Sequence, residues 1–323
     1  ADTFCFGQMY IVQVFEIADM SLSMVAVDGF RLAFRREKLE KLEANVIEWI
    51  LFFFSEFAKY PFTKFHKKAI KRITTNMEWY EVLSWSRELA KSTIVFMCMM
   101  YLVLTGKKRN VLLISNSHEN AVRLLEPYKK AFESNSMLKA YYGDLREFGS
   151  WTADEFTLTT GATFRAIGAL ESPRGTRKDA VRPDTALVDD FDTDADCRNP
   201  DILKKKWEWF EEALFPTRSI SEDLLVIFCG NLIALDCCVK RAGDKADHWD
   251  IVNIRDKDGK SSWPEKNTEE RINRIQSKIS TKAFQQEYMN NPLSEGDTFK
   301  EMVWGKCPPL SKRKVIELYI STR

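Results

Sequence analysis

Short, mostly apolar segments that alternate with helical patterns constrain the fold of this chain more than any other feature. Such segments run from Asn110 to Ser115, from Thr185 to Val188 and from Leu224 to Phe228. Apolar runs of this length are typical of strands that are buried on both faces of a sheet. A long helical pattern, from His118 to about Glu133, follows the first of them. The alternation predicts an α/β fold with a mostly parallel sheet flanked by helices.

Neighbouring segments add further elements to this prediction. Trp79 to Trp85 is strand-like, and Ser92 to Leu104 reads as an apolar helix. Two β-rich segments flank Gly161-Ala162, which predicts a hairpin there. Apolar residues at helical spacing from Phe30 to Phe57 predict a helical N-terminal lobe over residues 1–75.

The composition describes a chain that can bury a sizeable core, because 45% of its 323 residues are hydrophobic. This excludes wholesale disorder and a small disulfide-stapled scaffold. Lys and Arg number 48 against 47 Asp and Glu, so the formal charge of +1 argues against a strongly basic protein that coats DNA. A local basic patch is compatible with a neutral total. The most basic short stretch, Phe62 to Arg72, favours a solvated helix face, with phosphate contact as the alternative.

The seven cysteines include no C-x-x-C pair, which favours free thiols in a reducing compartment over a thiolate metal site. No stretch reaches the ~18 to 20 apolar residues that a membrane helix requires. The N-terminal segment shows no basic n-region and no cleavage site, so we expect no secretion. We therefore expect a protein without a membrane partner.

The segment Ser86-Arg-Glu-Leu-Ala-Lys-Ser-Thr93 lies between a predicted strand and a predicted helix. A nucleotide-phosphate loop needs inward-facing amides, a helix N-terminus, a Lys for the β/γ-phosphates and a Ser/Thr hydroxyl for Mg²⁺. Lys91 and Ser92 supply the last two in the required order. The two glycines of the standard pattern are absent, because Trp85 and Ala90 occupy their positions. An ordinary helix N-terminus is the alternative interpretation.

Two adjacent acids, Asp189 and Asp190, follow the apolar strand that begins at Thr185. Such a strand delivers carboxylates to the C-terminal edge of the sheet, where ligands of open α/β sheets bind. One Asp can support Mg²⁺ there, while a neighbouring carboxylate orients or deprotonates the attacking water. An acidic turn over Asp192 to Asp196, before a helix capped by Asn199, is the alternative.

A third element, Cys229-Gly230-Asn231, follows the apolar strand that begins at Leu224. A small residue, a Gly and an amide suit a loop that contacts a γ-phosphate or transmits its loss. A plain strand-to-helix turn is the alternative. The order of the three elements along the chain is loop, double acid and sensor-like turn.

This ordered series resembles the ATPase domain of the terminase large subunit, the DNA-packaging motor of tailed bacteriophages and related prophages. The resemblance runs from about Phe65 to Phe299 and includes that family's deviant Walker A loop, in which the glycines vary and an Arg stands near the loop start. Arg87 matches that arginine. The other similar stretches are Val111 to Ala121, Gly168 to Pro200 through Walker B, Cys229-Gly230-Asn231 at the coupling motif, Trp263 to Glu265, and Phe284 to Pro292. The resemblance implies a P-loop NTPase of the ASCE type.

The resemblance also implies a set of nucleotide-site residues, with ATP and Mg²⁺ as the cofactors. The expected nucleotide-binding residues are Ser86, Arg87, Glu88, Leu89, Ala90, Lys91, Ser92, Thr93, Cys229, Gly230 and Asn231. Ser92 and Asp189 are the expected Mg²⁺ ligands.

The expected catalytic residues are Arg87 and one of two acids. The family places an acid directly after the Walker B aspartate, which is Asp190 here, but it often has Glu at the position of Asp192. Either residue can therefore be the catalytic carboxylate. Ring motors also use an arginine from a neighbouring subunit, for which the candidates are Arg146, Arg174 and Arg177.

The resemblance implies that residues 76–300 form the ATPase core with a lid segment, and that residues 301–323 form a linker and the truncated start of a nuclease domain. Nuclease activity is not expected from this chain, because no further acids follow the strand-like Val315 to Ile320. The implied partners are double-stranded DNA, further copies of the chain in a ring, a small terminase subunit and a portal protein. The implied location is the cytoplasm of a bacterial host, at the procapsid during packaging.

Together these features favour an ATP-hydrolysing motor that moves double-stranded DNA into a procapsid. A helicase-like DNA-dependent ATPase is one alternative, disfavoured because one ATPase core is visible. A non-hydrolysing assembly module is another, suggested by the missing glycines. The retained Lys91, Ser92, Asp189 and Asp190 argue against it.

Overall fold

The computed structural model of this chain describes residues 34–173 and 181–293. The helices there are α1 (residues 34–43), α2 (Val46–Phe53), α3 (Lys64–Thr75), α4 (Lys91–Leu104), α5 (His118–Ser134), α6 (Ser136–Tyr142), α7 (Asp194–Cys197), α8 (Pro200–Glu208), α9 (Cys238–Gly243), α10 (Glu269–Gln276) and α11 (Thr281–Met289). A π-helical turn (Trp209–Leu214) and a 3-10 turn (Phe215–Thr217) continue α8. The strands are β1 (Trp79–Trp85), β2 (Asn110–Ser115), β3 (Arg146–Trp151), β4 (Glu155–Leu158), β5 (Thr163–Gly168), β6 (Thr185–Asp189), β7 (Leu225–Cys229) and β8 (His248–Val252).

The described strands form one sheet in the order β3-β4-β5-β2-β6-β7-β1-β8. All neighbouring pairs from β5 across to β8 are parallel, and β3 and β4 extend the sheet as antiparallel strands. The predicted α/β fold with a mostly parallel sheet is confirmed. Strand β7 lies between β1 and β6, so the strand before the loop and the strand before the double acid are not neighbours. This insertion is the strand order of an ASCE-type P-loop NTPase.

The apolar runs predict the central strands correctly, and the hairpin at Gly161-Ala162 joins β4 to β5 as expected. The sequence pattern does not predict β3 and β8, which are the two edge strands of the sheet. Their side chains are exposed or half-buried, and neither strand contains a continuous apolar run. An edge strand buries too little surface to require one.

Apolar layers cover both faces of the sheet. On one face, α4 is buried on nearly every side, with ten of its 14 residues buried, because α2, α3 and α5 pack around it. On the other face, the core contains Phe191, Trp207, Phe210 and Phe228 under α8 and α9. The sheet is therefore fixed from both sides, and its strand ends are held in place.

The helices that precede β1 pack into the same apolar layer as α4. The Trp49 indole N–H donates to the Tyr142 hydroxyl at 2.8 Å, and the Phe54 ring lies 5.3 Å from that of Phe96. The predicted boundaries at residues 75 and 300 stay predictions. Residues 1–33 and 301–323, which carry part of the lobe and the expected nuclease start, lie outside the described residues.

One buried lysine joins the starts of three central strands. Lys108 Nζ donates to the carbonyls of Met77, Asp184 and Asp223, at 2.9, 3.1 and 3.0 Å. These carbonyls lie one or two residues before β1, β6 and β7. Burial lowers the pKa of the Lys108 ammonium, while nearby carboxylates oppose that shift. The three strands are thus held together at one end, and their opposite ends meet at the site described below.

Within residues 34–173 and 181–293, no helix combines the length and the apolar character needed to cross a bilayer.

Candidate nucleotide site

Residues 86–90 connect β1 to α4 and form a compact loop at the C-terminal edge of the sheet. The Ser86 amide donates to the Val252 carbonyl at 2.8 Å, and the Arg87 amide donates to the Glu287 carbonyl at 3.1 Å. Glu88 has φ +70° and Ala90 has φ +59°, both in the left-handed region that favours glycine. Each such residue costs about 1 to 2 kcal/mol. Ala90 occupies the second glycine position of the standard loop and adopts a glycine-like conformation.

Side chains from distant segments stabilise this strained loop. Lys266 Nζ and Asn267 Nδ2 both donate to the Glu88 carbonyl, at 2.9 and 3.1 Å. Lys266 also forms an ion pair with the Glu88 carboxylate at 3.0 Å. On the other side of the loop, His66 Nε2 contacts the Leu89 carbonyl at 3.0 Å. The two carbonyls that a left-handed turn exposes therefore have partners.

The protonation of His66 follows from its neighbours. The Thr63 amide, which can only donate, points at His66 Nδ1 at 3.2 Å. Nδ1 therefore accepts, and Nε2 carries the proton that it donates to Leu89. Burial lowers the pKa of His66 to about 4, although its bond to Leu89 opposes that shift. His66 is thus a neutral donor that links α3 to the loop.

The N-terminus of α4 presents Lys91 and Ser92 to the same edge. Ala90, the N-cap residue, has no side chain to accept from the first amides of α4, so these amides remain directed at the site. Ser92 Oγ donates to Asp189 Oδ2 at 2.6 Å, and Lys91 Nζ donates to Asn231 Oδ1 at 3.1 Å. Uncapped amides and an ammonium group together form an anion-binding arrangement.

The two adjacent acids at the end of β6, Asp189 in the strand and Asp190 after it, differ sharply in their environments. Asp189 is buried, and this burial raises its pKa to about 6, against the opposing effects of Lys91 and the Ser92 hydroxyl. Asp190 is exposed and has φ +47°, a left-handed turn that directs its side chain away from the strand. Its carbonyl accepts from the Asn116 amide at 3.3 Å, which fixes that turn against the end of β2.

Asp192 lies in the same region but is committed to another contact. Its Oδ2 accepts from the Val239 amide in α9 at 3.1 Å, and its Oδ1 is buried without a partner among the described residues. Burial raises the pKa of this carboxyl. Asp192 therefore connects the segment after β6 to the helix that follows the Gly230-Asn231 turn.

The turn after β7 is tightly packed. A Cβ on Gly230 would lie 2.3 Å from Val239 Cγ2, so no larger residue fits unless the Val239 side chain shifts. Asn231 bridges two elements, because its Oδ1 accepts from Lys91 and its Nδ2 donates to the Glu287 carbonyl at 3.0 Å. This one side chain connects the loop lysine to α11.

Asn290, at the end of α11, ties this turn to the sheet. It has φ +46°, and its Nδ2 donates to the carbonyls of Ser84 at 2.9 Å and Val252 at 3.3 Å, and to Asn253 Oδ1 at 3.1 Å. Its Oδ1 accepts from the Leu232 amide at 3.0 Å. Asn290 thus contacts β1, β8 and the turn after β7 at once.

Arg87 points towards solvent at the mouth of the site. Its Nε donates to Glu287 Oε2 at 2.5 Å, and its side chain is 66% exposed. The bond to Glu287 raises the pKa of the guanidinium, with smaller support from Asp190. Arg87 is therefore held near the site by one contact that α11 supplies.

A cavity of about 620 Å³ lies among these groups. The residues predicted for the site that line it are Ser86, Arg87, Glu88, Ala90, Lys91, Ser92, Thr93, Asp190, Asp192, Gly230 and Asn231. Leu89 and Cys229 are buried in the core, and Asp189 reaches the site through Ser92. Arg146 lies on the edge strand β3 in an ion pair with Asp144 at 2.7 Å, away from the cavity. Arg174 and Arg177 lie outside the described residues.

Sequence reasoning misses several residues that build this site. Asn116 and Asn120 line the cavity, and Asn120 Nδ2 donates to Asn116 Oδ1 at 2.7 Å. Asn116 directly follows β2, so the rule that parallel strands end at one edge could have found it. Glu287 lies in the stretch from Phe284 to Pro292 that the resemblance includes, but nothing in that stretch assigns it to the site. His66 and Lys266 have no local signal, because they reach the site from α3 and from the turn before α10.

The residues present fit a magnesium nucleotide. Ser92 Oγ and Asp189 Oδ2 are hard oxygen donors 2.6 Å apart, the type that Mg²⁺ prefers, and Lys91 lies beside them. Within the described ranges, no group of three or more His, Cys, Asp or Glu side chains is placed to hold a metal ion. Mg²⁺ in nucleotide sites needs only one or two protein ligands, because phosphates and waters complete its shell. The cavity volume also lies within the range of small-molecule sites.

Comparison with known proteins gives structural neighbours only. No protein-family model matches this sequence, and no curated protein matches it significantly. The HK97 bacteriophage large terminase is 14% identical over 72% of this chain and 51% of its own, with a TM-score of 0.48. The large terminase ATPase domain of Thermus phage P74-26 is 16% identical over 74% of this chain and 97% of its own, with a TM-score of 0.44, and a variant of that domain gives the same identity and score.

This chain therefore spans about half the length of the HK97 protein. The solved structures that this chain resembles are phage large terminases, the family that its sequence motifs also resemble.

Proposed function

We propose that this chain is the ATP-hydrolysing motor domain of a viral DNA-packaging terminase, which couples hydrolysis to the movement of double-stranded DNA into a procapsid. One observation carries the ATPase part of this proposal. At the uncapped start of α4, Ser92 Oγ and Asp189 Oδ2 lie 2.6 Å apart beside Lys91, at the edge of a cavity of about 620 Å³. The ordered motif series of the sequence supports the terminase part.

Nucleotide binding uses the start of α4. The first amides of α4 and the Lys91 ammonium bind the phosphate oxygens, and Lys91 exchanges its contact with Asn231 for them. Ser92 and Asp189 would hold Mg²⁺, which when bound would supply positive charge beside the phosphates. Asp189 must be ionised for that role, and the cation offsets the burial that raises the pKa of this carboxyl.

The sequence leaves open whether Asp190 or Asp192 is the catalytic carboxylate, and we propose different roles in hydrolysis for these two acids. Asp190 is exposed at the cavity, so its carboxylate can orient and deprotonate the attacking water. Asp192 already accepts from the Val239 amide, so it positions α9 and the turn before it. We assign the catalytic carboxylate to Asp190 and a positioning role to Asp192.

Asn231 and Arg87 connect the expected position of the nucleotide phosphates to α11, which is how we expect hydrolysis to be coupled to movement. Asn231 contacts Lys91 on one side and the Glu287 carbonyl on the other, so gain or loss of a γ-phosphate changes a contact that leads to α11. Arg87 reaches the same residue through its bond to the Glu287 carboxylate. Movement of α11 relative to the sheet is the motion that we expect to act on DNA.

The expected assembly belongs to the same proposal. A ring of copies would supply an arginine in trans, and a small terminase subunit and a portal protein would be its partners at the procapsid in the host cytoplasm. Arg146, on the exposed edge strand β3, is the candidate arginine within the described residues.

Mg²⁺-dependent ATP hydrolysis, measured over a range of protein concentrations, tests this proposal. Lys91→Ala and Asp190→Asn should each lower the rate ~100-fold or more, because each removes a main transition-state interaction. Asp192→Asn should cost less, since it retains an acceptor for the Val239 amide. Asp201→Asn, an exposed change in α8, serves as the control. Turnover should rise faster than linearly with protein concentration if a neighbour completes the site.

Two outcomes contradict the proposal. The first is that the chain neither binds nor hydrolyses ATP at any concentration, which favours the alternative of a non-hydrolysing assembly module. Full activity in Asp190→Asn together with loss in Asp192→Asn reverses the assignment of the two acids.

A further inference from the structure

Helix α3 presents a row of exposed lysines. Lys64, Lys67, Lys68 and Lys71 follow the spacing i, i+3, i+4 and i+7, which places them on one side of the helix. Apart from Thr75, they are its only exposed side chains. The opposite side is buried in the core through His66, Ala69, Ile70, Ile73 and Thr74. We refer to these four residues as the α3 lysine face.

The α3 lysine face has no acidic partners in the described structure. None of its four ammonium groups takes part in a salt bridge within residues 34–173 and 181–293. Arg72, the next cation of α3, binds Glu81 at 2.6 Å and Asp250 at 2.8 Å. The acids that face α3 from β1 and β8 are therefore engaged by Arg72.

This arrangement opposes the stability of α3 itself. Lys64 lies in the first turn, which contains no acid, so its charge faces the positive end of the helix dipole. Lys64 and Lys68, like Lys67 and Lys71, are four residues apart, and like charges at that spacing repel. Helix-destabilising charges that gain no packing in return indicate a functional surface. A bound polyanion would relieve both the unfavourable dipole interaction of Lys64 and the repulsion between the lysines.

We propose that the α3 lysine face binds the phosphate backbone of double-stranded DNA without reading its sequence. The eight residues from Lys64 to Lys71 extend over about 10 Å of helix axis. A duplex presents about six phosphate charges over that length. Lysine is a point charge without a fixed hydrogen-bonding geometry, so it tolerates any register along a backbone. The choice of duplex DNA as occupant rests on the proposed function.

The composition of the face argues against a membrane surface. A helix that lies on a bilayer exposes an apolar side to the acyl chains. The apolar side of α3 is instead buried in the protein, and no exposed apolar residue lies among the four lysines. The face therefore offers charge alone, which matches a surface of evenly repeated phosphates.

The buried side of α3 links this surface to the nucleotide site. His66 Nε2 donates to the Leu89 carbonyl in the loop at 3.0 Å, and the Phe65 ring packs 4.9 Å from that of Trp85, the last residue of β1. A duplex on the α3 lysine face is thus one helix diameter from the loop. We expect DNA to stimulate ATP hydrolysis through this contact.

Anisotropy of a labelled duplex, titrated with the full chain at several salt concentrations, tests the binding surface. The test variant carries Ala at all four positions of the α3 lysine face. The matched control carries Ala at four exposed lysines of other segments, Lys130, Lys205, Lys257 and Lys278, so it loses the same charge. The slope of log affinity against log salt should fall by about 3 to 4 in the test variant, because each lost phosphate contact removes about 0.9. Affinity should fall at least about tenfold in the test variant and little in the control.

Three results overturn the proposal. The first is an unchanged slope and affinity in the test variant, and the second is an equal loss in the control, which makes binding a matter of net charge. The third is binding of anionic phospholipid vesicles, but not of the duplex, by the intact chain. Circular dichroism checks the fold of both variants, and we expect no loss of thermal stability in the test variant because its lysines repel one another.

ATP hydrolysis without DNA, measured on the same proteins, separates this inference from the proposed function. The test variant should retain the basal rate and lose stimulation by the duplex. Absence of basal hydrolysis in the intact chain contradicts the proposed function, whereas the salt slopes still decide the binding surface.

Discussion

Replacement of His66 tests how the loop is stabilised. The neutral ring accepts from the Thr63 amide through Nδ1 and donates to the Leu89 carbonyl through Nε2. His66→Asn keeps an acceptor at the Nδ1 position, and His66→Gln places an amide donor near the Nε2 position. Neither replacement titrates. Each should lose one of the two hydrogen bonds and some packing, which costs about 1 to 3 kcal/mol at pH 7.5.

The pH dependence of the free energy of unfolding tests the role of His66 more precisely than the loss at a single pH. The pKa of His66 is about 4 in the folded protein, against 6.5 as its ordinary value, so below pH 6.5 the unfolded chain binds a proton that the folded chain excludes. The stability contributed by neutral His66 is therefore present above pH 6.5 and is lost as the pH falls towards 4. With these two pKa values, about 2 kcal/mol is lost between pH 7.5 and pH 5.

Urea unfolding of the three proteins at pH 7.5 and pH 5 measures this loss. The intact chain should lose about 2 kcal/mol more than either variant over that interval, because other titrating groups are common to all three. The stability gap between intact chain and variants should therefore narrow at pH 5. Equal acid sensitivity in all three proteins would refute the assignment of His66 as a buried neutral donor.

Two further changes test the turn after β7. Gly230→Ala should destabilise the protein by about 1 to 3 kcal/mol, since its Cβ would lie 2.3 Å from Val239 Cγ2, and Val239→Ala in the same chain should restore part of the loss. No recovery in the thermal unfolding of the double variant would contradict this packing argument. Asn290→Gly suits the local φ of +46° but leaves the Leu232 amide and the Ser84 carbonyl unpaired, so we expect a loss of about 2 to 3 kcal/mol in urea unfolding together with weaker ATP binding. Unchanged nucleotide affinity would show that Asn290 acts on stability alone.

If residues 86–93 form the proposed phosphate loop, the contacts around it compensate for the missing glycines. Ala90 takes the left-handed conformation at the second glycine position, and the cost is offset by the bonds that Lys266, Asn267 and His66 make to the loop carbonyls. Glycine loops need no such support, because glycine adopts positive φ freely. We expect the loop of this chain to be stiffer than a glycine-rich one for the same reason.

The sequence by itself determines the central architecture and the position of the site in it. Apolar runs of strand length require burial on both faces, so β2, β6 and β7 are predictable from composition and spacing alone. The C-terminal ends of parallel strands meet at one edge, which places Asp189, at the end of β6, and Asn231, just beyond β7, beside the loop. These are local rules that relate a residue to the end of its own strand.

Only the tertiary structure decides which groups remain available for chemistry. Asp190 and Asp192 are equivalent candidates in the sequence, but Asp192 accepts from an amide of α9, a helix more than forty residues further along the chain. His66 and Asn290 likewise reach the site from helices that precede β1 and follow β8. The similar stretch from Phe284 to Pro292 contains Asn290 but does not specify its partners. Contacts of this kind depend on how distant helices pack on the sheet.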